Sequence, residues 1–536
     1  MKNIALYKKA EQARLIYEDL QKKTGFKSIP TTFIAKDRRP IFDAICNSEN
    51  PFPGQYAGFL TKQRMDAVEK LFSDEIIPQT SAIAAVLSAC SSVAAEIGSL
   101  RGEDTTEAKT YCDISFAGLQ AIRLHMSNYT SPAFQKVRFL SAAGVLDALN
   151  GALHKYTASD GRMVSFHAYY MSQQRKLVPA LGLSKKAEEY TLGTTAQDMQ
   201  ELAGIVSKKT ALELEELSFE CGACGCMLRS REEWEASEVG KAVVEMPLIR
   251  TVKKADTKIP AWGTPNERGS LSGIKILDLT HIIAGPACSR ILAEYGADVL
   301  LVRRGTFLEQ EQAMNEFDGW AGKHSIQLDF NVSEQLSKAK ELIKEADIVI
   351  YSYQNGALDK FGLSEEEIRA LNPGIIYADL MCFSDSVWKD RPGWAPCAED
   401  ITGLSVRNGS MEHPVNLNGV PLDYFPGFIL ALGTLLAISE KLKAGGGYQV
   451  TTSLTRGAQY LHECADLCEK SDITCSFEST ITEEDDHSIW DSILQYVDGC
   501  SIGGESGFPG PATFNTTYPT NLGNFRFTDG NTGWQQ

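Results

Sequence analysis

The distribution of apolar and polar positions divides this 536-residue chain into two unlike halves. From Gly273 onward, short apolar runs rich in β-branched residues alternate with amphipathic stretches of helical period. They are KILDL at 275–279, ACSRILAEYGA at 287–297, DVLLVRR at 298–304, QLSKAKELIKEA at 335–346, DIVIYSY at 347–353 and GIIYADLMCF at 374–383. Strands separated by helices of about ten or more residues imply parallel βαβ units with helices on both faces of the sheet. The pattern predicts an open, doubly wound α/β domain over about 271–410. The longest apolar stretch, FPGFILALGTLLAI at 425–438, contains Pro and two Gly and is shorter than the roughly 20 residues that span a bilayer. It predicts a buried helix.

Residues 1–270 follow another pattern, with a helix-rich opening, an apolar helix at 82–100 (AIAAVLSACSSVAAEIGSL) and then short mixed segments. No series of parallel strands is expected there. The stretch TVKKADTKIPAWGTPNERGSLS at 251–272 has the Pro, Gly and charge content of an interdomain linker. A weak internal repeat crosses it: the helix at 82–100 followed by RGEDTTEAKTYCDISFAGLQ parallels the helix at 428–443 followed by AGGGYQVTTSLTRGAQ. From about 471 to 536 the chain is acidic at EEDD and then rich in Gly, Pro, Asn and Thr, which predicts irregular or partly disordered structure.

The length exceeds one ordinary core and predicts two to four domains. Hydrophobic residues at 43% and charged residues at 23% are near soluble-domain averages, which excludes disordered and fibrous classes. A net charge of -17, with no basic stretch, excludes nucleic acid as a partner. Thirteen scattered cysteines suit a reducing compartment. CGACGC at 221–226 offers three thiols, but a closed zinc site needs four ligands and no second Cys/His pair stands at finger spacing, so no metal is expected. The opening MKNIALYKKAEQ lacks a long apolar run, and NTGWQQ at the end carries no peroxisomal tripeptide. A cytoplasmic protein without a membrane partner is expected.

The first β-to-α turn of the doubly wound region, THIIAGPACSR, lacks the GxGxxG of dinucleotide folds. Its second strand ends in Arg303 and Arg304, where NAD binding wants an acid; two guanidinium groups there suit phosphate, and equally a solvated pair on an exposed loop. The most suggestive carboxylate is Asp423, in NGVPLDYFPGFILALG, at a turn just before the apolar helix. The positive end of the helix dipole and backbone N–H groups are expected to keep it ionised and fixed in direction, able to attack a thioester carbonyl. An Asp just before a helix is, however, most often only a cap. His281 and His324 flank strand-like segments without a Ser or Cys elbow, so a hydrolase triad is unsupported.

In order along the chain stand GIKILDLTHIIAGPACSRILAEYGADVLLVRRG, GKHSIQLDF, ADIVIYSYQNGALDKFGL, LNPGIIYADL, KDRPGW, NGVPLDYFPG and GGGYQVTTSL. Together, over about 273–460, they resemble the class III coenzyme A transferases, the CaiB/BaiF family. The resemblance implies a Rossmann-like CoA-binding domain at 271–470 with a smaller mixed α/β domain, and Asp423 as the catalytic aspartate. It implies coenzyme A and acyl-CoA as substrates with no permanently bound cofactor, and a small carboxylic acid as acceptor. Family positions that contact the nucleotide or pantetheine fall on His281, Ile283, Ala284, Arg303, Arg304, Lys323, His324, Tyr353, Lys360 and Arg391.

Residues 157–183, with KKTALELEEL, RSREEW and MPLIR, resemble the family's small domain and closing stretch. Residues 1–265 are therefore expected to be a partial module that lacks the nucleotide fold and carries no acid matching Asp423. That half would supply the small domain missing after 470 and make one composite site, in a homodimer or in a monomer imitating one. Racemase members of the family carry Gly-His-Asp where this chain has Gly393-Trp394-Ala395, and Trp cannot exchange a proton at neutral pH. An α-methylacyl-CoA racemase and an inactive CoA-binding scaffold are the alternatives.

Overall fold

In the computed structural model of the chain the described residues are 4–35, 69–121, 155–168, 171–190, 195–266, 268–303, 322–384, 386–471, 473 and 513–515. Helix α1 (Ile4–Thr24) packs on the apolar helix α2 (Gln79–Leu100), and strand β1 (Thr31–Ile34) pairs parallel with β2 (Thr110–Asp113). That one parallel pair stands in a half where no series of parallel strands is expected. Next, β3 (Lys155–Thr157), β4 (Met163–Phe166) and β5 (Gly225–Met227) form a small antiparallel sheet. Helix α3 (Ala211–Glu220) packs on it and is opened by a Thr210–Glu213 capping box, the two side chains satisfying each other's orphan backbone donors.

The large sheet has seven strands. They are β6 (Arg250–Ala255), β7 (Lys275–Leu279), β8 (Asp298–Arg303), β9 (His324–Gln327), β10 (Ile348–Tyr351), β11 (Ile376–Met381) and β12 (Gly447–Ser453), in the order β6-β12-β11-β10-β7-β8-β9. All neighbours run parallel except β6, which is antiparallel to β12. Counted from β7 as first, β7 to β12 stand in the order 3-2-1-4-5-6 of dinucleotide-binding folds. The doubly wound region therefore ends at β12, beyond the expected limit near 410. The stretch read as a linker also begins differently: its first residues form β6, because the edge of β12 leaves a row of backbone donors and acceptors to be paired.

Helix α4 (Ala284–Glu294) follows β7, α5 (Ala395–Thr402) follows β11, and α6 (Pro421–Ala444) and α7 (Leu454–Lys470) flank β12. Pro421 sits in the first turn of α6, where its missing N–H leaves no bond unmade, and Gly445 with φ 60° ends the helix. α6 packs against α2, α4 and α7. Among the described residues, α2 and α6 have the length and composition to cross a bilayer, yet 83% and 89% of their most apolar windows lie inside the fold. They are core helices, which explains side chains that are apolar all round. In the stretch after 471, β13 (Thr513–Asn515) pairs antiparallel with β2, an ordered strand in a region expected to be irregular.

Candidate active site

In open α/β sheets ligands bind beyond the carboxyl ends of the strands, where the strand order reverses. Here that point lies between β7 and β10, and the loops leaving them meet. The His281 ring stacks on Tyr353 with centroids 4.3 Å apart and an interplanar angle of 11°, and its backbone N–H donates to Ser352 Oγ at 3.2 Å. Trp394, the residue before α5, meets the His281 ring in a T-shaped contact at 6.5 Å. Burial pushes the His281 pKa down to about 4, leaving a neutral ring at pH 7. Ile282, between His281 and α4, has φ 68°. A β-branched side chain in the left-handed region costs about 1–3 kcal/mol, and such strain concentrates at functional loops.

Asp423 enters from α6. A Cβ at Gly427, one turn after Asp423, would stand 2.3 Å from the Ala284 carbonyl oxygen. Only glycine lets the first turns of α6 and α4 come this close, and the contact brings Asp423 to the switch-point loop. The turn before Asp423 is held from the other half of the chain: Val420 N–H donates to the Ala121 carbonyl at 2.8 Å, and Gln79 Nε2 donates to the Asn418 carbonyl at 3.0 Å.

The charge of Asp423 is the main correction to the sequence reading. No side chain caps α6, Asp423 is half-buried with protein crowding it beyond its own opening, and no described residue hydrogen-bonds its carboxyl. Burial first, and the Glu399 carboxyl second, raise its pKa to about 8. A helix N-terminus favours an anion by about 0.3–2 kcal/mol, whereas desolvation can move a carboxyl by several units at about 1.4 kcal/mol each. Desolvation wins, so the free protein holds Asp423 protonated at pH 7. Glu399 itself is buried, accepts from Asn416 Nδ2 at 2.7 Å and from the Leu417 N–H at 3.0 Å, and has a pKa raised to about 7 by burial.

The other expected contacts separate. Ile283 and Ala284 lie at the start of α4, buried beside the switch point. Arg303 ends β8, half-buried, and Arg304 lies outside the described residues. Lys323 does not fit its expected role. Its Nζ is buried and bonded to Asp278 Oδ2 at 2.8 Å, Ser289 Oγ at 2.6 Å and the Pro286 carbonyl at 3.0 Å, so all three donors face the protein interior. His324 is half-buried on β9, and Lys360 is exposed with Nζ 4.8 Å from the Phe361 ring centre. Arg391 lies between Phe219 and Trp388, 4.4 Å from each ring centre, and is ion-paired with Glu216 at 2.8 Å, while its Nη1 is buried without a hydrogen bond. Residues that the sequence did not single out also shape the site. Gln173 Oε1 accepts from the Trp394 indole N–H at 3.3 Å, and Glu399 faces Asp423. No local pattern marks either one, because each meets its partner across the fold.

Residues 271–473 match the model of CoA-transferase family III. This stretch belongs to CoA-transferase family III. An acyl-CoA transferase of Gibberella moniliformis is 29% identical over 70% of this chain and 69% of its own length. The acetyl-coenzyme A transferase nodX of Hypoxylon pulicicidum is 29% identical over 57% of this chain and 53% of its own. A succinyl-CoA:mesaconate CoA-transferase of Haloarcula hispanica is 27% identical over 41% and 59%. The chain thus spans about half to two thirds of these relatives.

Proposed function

We propose that the chain is a CoA-transferase that moves coenzyme A from an acyl-CoA to a carboxylic acid through Asp423. The observation that carries this reading is a carboxyl group with no hydrogen bond from a described residue, set in the first turn of α6 beside the switch-point loop. Once its proton leaves, the carboxylate is poorly solvated and correspondingly reactive. Its oxygen attacks the thioester carbonyl, giving a mixed anhydride and CoA thiolate. The thiolate then attacks the aspartyl carbonyl, releasing the donor acid and leaving an aspartyl-CoA thioester. The acceptor carboxylate and the thiolate repeat the two steps in reverse, and Asp423 emerges unchanged. His281, Tyr353 and Trp394 wall the thioester, as neutral aromatic groups suited to pantetheine, and Arg391 Nη1 is a donor for ligand oxygen.

The same reading makes the site composite. Ala121, Gln79 and Gln173, all from residues 1–265, reach the Asp423 turn or its wall. The strands exchange in both directions: β6 from the first half completes the large sheet, and β13 from the tail joins the β1–β2 pair. A duplicated module interlocked within one chain accounts for both, making the protein a pseudo-dimeric monomer. Racemase chemistry finds no proton carrier at Trp394, whose indole N–H is engaged by Gln173. Incubation with a panel of acyl-CoAs followed by mass spectrometry tests the reading. A CoA-sized, hydroxylamine-sensitive adduct on the Asp423 peptide is expected; turnover without such an adduct, or no adduct with any donor, overturns it.

A further inference from the structure

His167, Cys226 and Cys397 are far apart in sequence, yet their ligand atoms lie within 4.8 Å of one another, and all three residues are buried. His167 follows β4, Cys226 belongs to β5 and Cys397 to α5. The group therefore sits on the seam between the small antiparallel sheet and the family III stretch. A fourth group of the right kind adjoins it: Asp400 Oδ2 is 3.7 Å from His167 Nε2, and Asp400 is wholly buried. Its other oxygen is held by Lys155 Nζ at 2.9 Å and Ser405 Oγ at 2.6 Å. Outer partners of this sort orient metal-binding carboxylates.

We propose that His167, Cys226, Cys397 and Asp400 form a structural zinc site that joins the two parts of the chain. Two sulfurs, one imidazole and one carboxylate oxygen are the donors zinc takes in tetrahedral sites, and soft thiolates select against magnesium and calcium. Bond lengths of about 2.3 Å to sulfur and 2.0–2.2 Å to nitrogen and oxygen place tetrahedral ligand atoms roughly 3.3–3.8 Å apart. The spacings among His167, Cys226 and Cys397 need a contraction of up to about 1.5 Å, within reach of side-chain rotation. The charges also close: zinc at +2 and Lys155 at +1 balance two thiolates and Asp400. Binding releases three protons to solvent, one from each thiol and one from the His167 ring, which Asp400 now holds protonated, and it displaces Ser165 Oγ, which now donates to Asp400 Oδ2 at 2.7 Å. Four protein ligands leave no open position, so the ion's role is to pin α5, which carries Glu399 and begins next to Trp394, against β5. CGACGC alone could not show this, since only Cys226 of its three thiols takes part.

The test is metal analysis of the full chain expressed with zinc and purified without chelator. One zinc per chain is expected, with cobalt substitution giving a thiolate-to-metal charge-transfer band and the intense visible bands of a four-coordinate ion. Cys226→Ser and Cys397→Ser should each lose the zinc and the band, while Cys468→Ser keeps both. Should those two variants fail to fold, chelation of the wild-type chain gives a second reading, a fall in Tm reversed by zinc and not by magnesium. A folded wild-type chain that carries no zinc and gives no cobalt–thiolate band overturns the proposal. So does an oxidised Cys226–Cys397 pair, or zinc retained by both serine variants. None of these readings uses CoA transfer, so they stand or fall apart from the role of Asp423.

Discussion

Helices α2 and α6 are both long and apolar, pack against each other, and each precedes a strand that pairs parallel on one side and antiparallel on the other. The acids at their entrances have opposite fates. At α2 the acid is Glu75, and its carboxylate accepts from the Thr80 N–H at 3.1 Å and from Lys9 Nζ at 2.9 Å. At α6 the acid is Asp423, to which no described residue donates, and the Glu399 carboxyl repels its charge. The same helix entrance is a closed structural joint in one half and an open, energetically unsettled carboxyl in the other. A carboxylate becomes a nucleophile when its hydrogen bonds are withheld, and the cost is carried by the surrounding fold.

The comparison breaks most sharply through Asp423 itself. Asp423→Ala should fold and lose CoA transfer by about 10³-fold or more, as expected when a covalent nucleophile is removed. Adding Thr80→Asp should restore nothing, since position 80 faces Glu75; regained steady-state transfer would show the two entrances to be equivalent. Next comes pH. Attack needs the carboxylate, so adduct formation followed before steady state should rise about tenfold per unit and level off near pH 8. A flat profile between pH 5 and 8 would mean that Asp423 is ionised throughout.

On the α2 side, Lys9→Met leaves Glu75 buried without its cation and should cost about 3 kcal/mol in chemical denaturation, with little change in activity per folded molecule. Asp423→Asn tests the strain at the other entrance. A carboxyl whose folded pKa is raised stays protonated in the native state while the unfolded chain ionises, so its stability contribution is present below about pH 4 and lost as pH rises toward 8. Discounted for the half-open side chain, the amide variant should gain on the order of 1 kcal/mol at pH 8 and nothing at pH 4, read from paired thermal melts. The smallest effect is expected for Gln79→Ala. Losing the bond to the Asn418 carbonyl should cost about 1 kcal/mol or less and raise KM a few-fold while leaving kcat nearly unchanged.

Much of the fold was legible along the chain. KILDL is β7 residue for residue, and the runs at 298–304, 347–353 and 374–383 enclose β8, β10 and β11. Parallel strands buried on both faces are marked by their own composition. The edge strands β6 and β13 were hidden, because an edge is completed by backbone pairing that side chains need not advertise. The site divides in the same way. Asp423 and the His281 loop were legible as ordered motifs, whereas the inward turn of Lys323 depended on Asp278 and Ser289, which no local pattern links to it.

By itself, then, the order of residues determined where the βαβ units lie and which acid opens the apolar helix, since both are written in spacings of a few residues. Tertiary structure alone decided the protonation of Asp423 and the meeting of His167 with Cys226 and Cys397. Desolvation, charge repulsion and side-chain packing act through space at a few ångströms, and the groups that supply them here belong to separate elements of the chain.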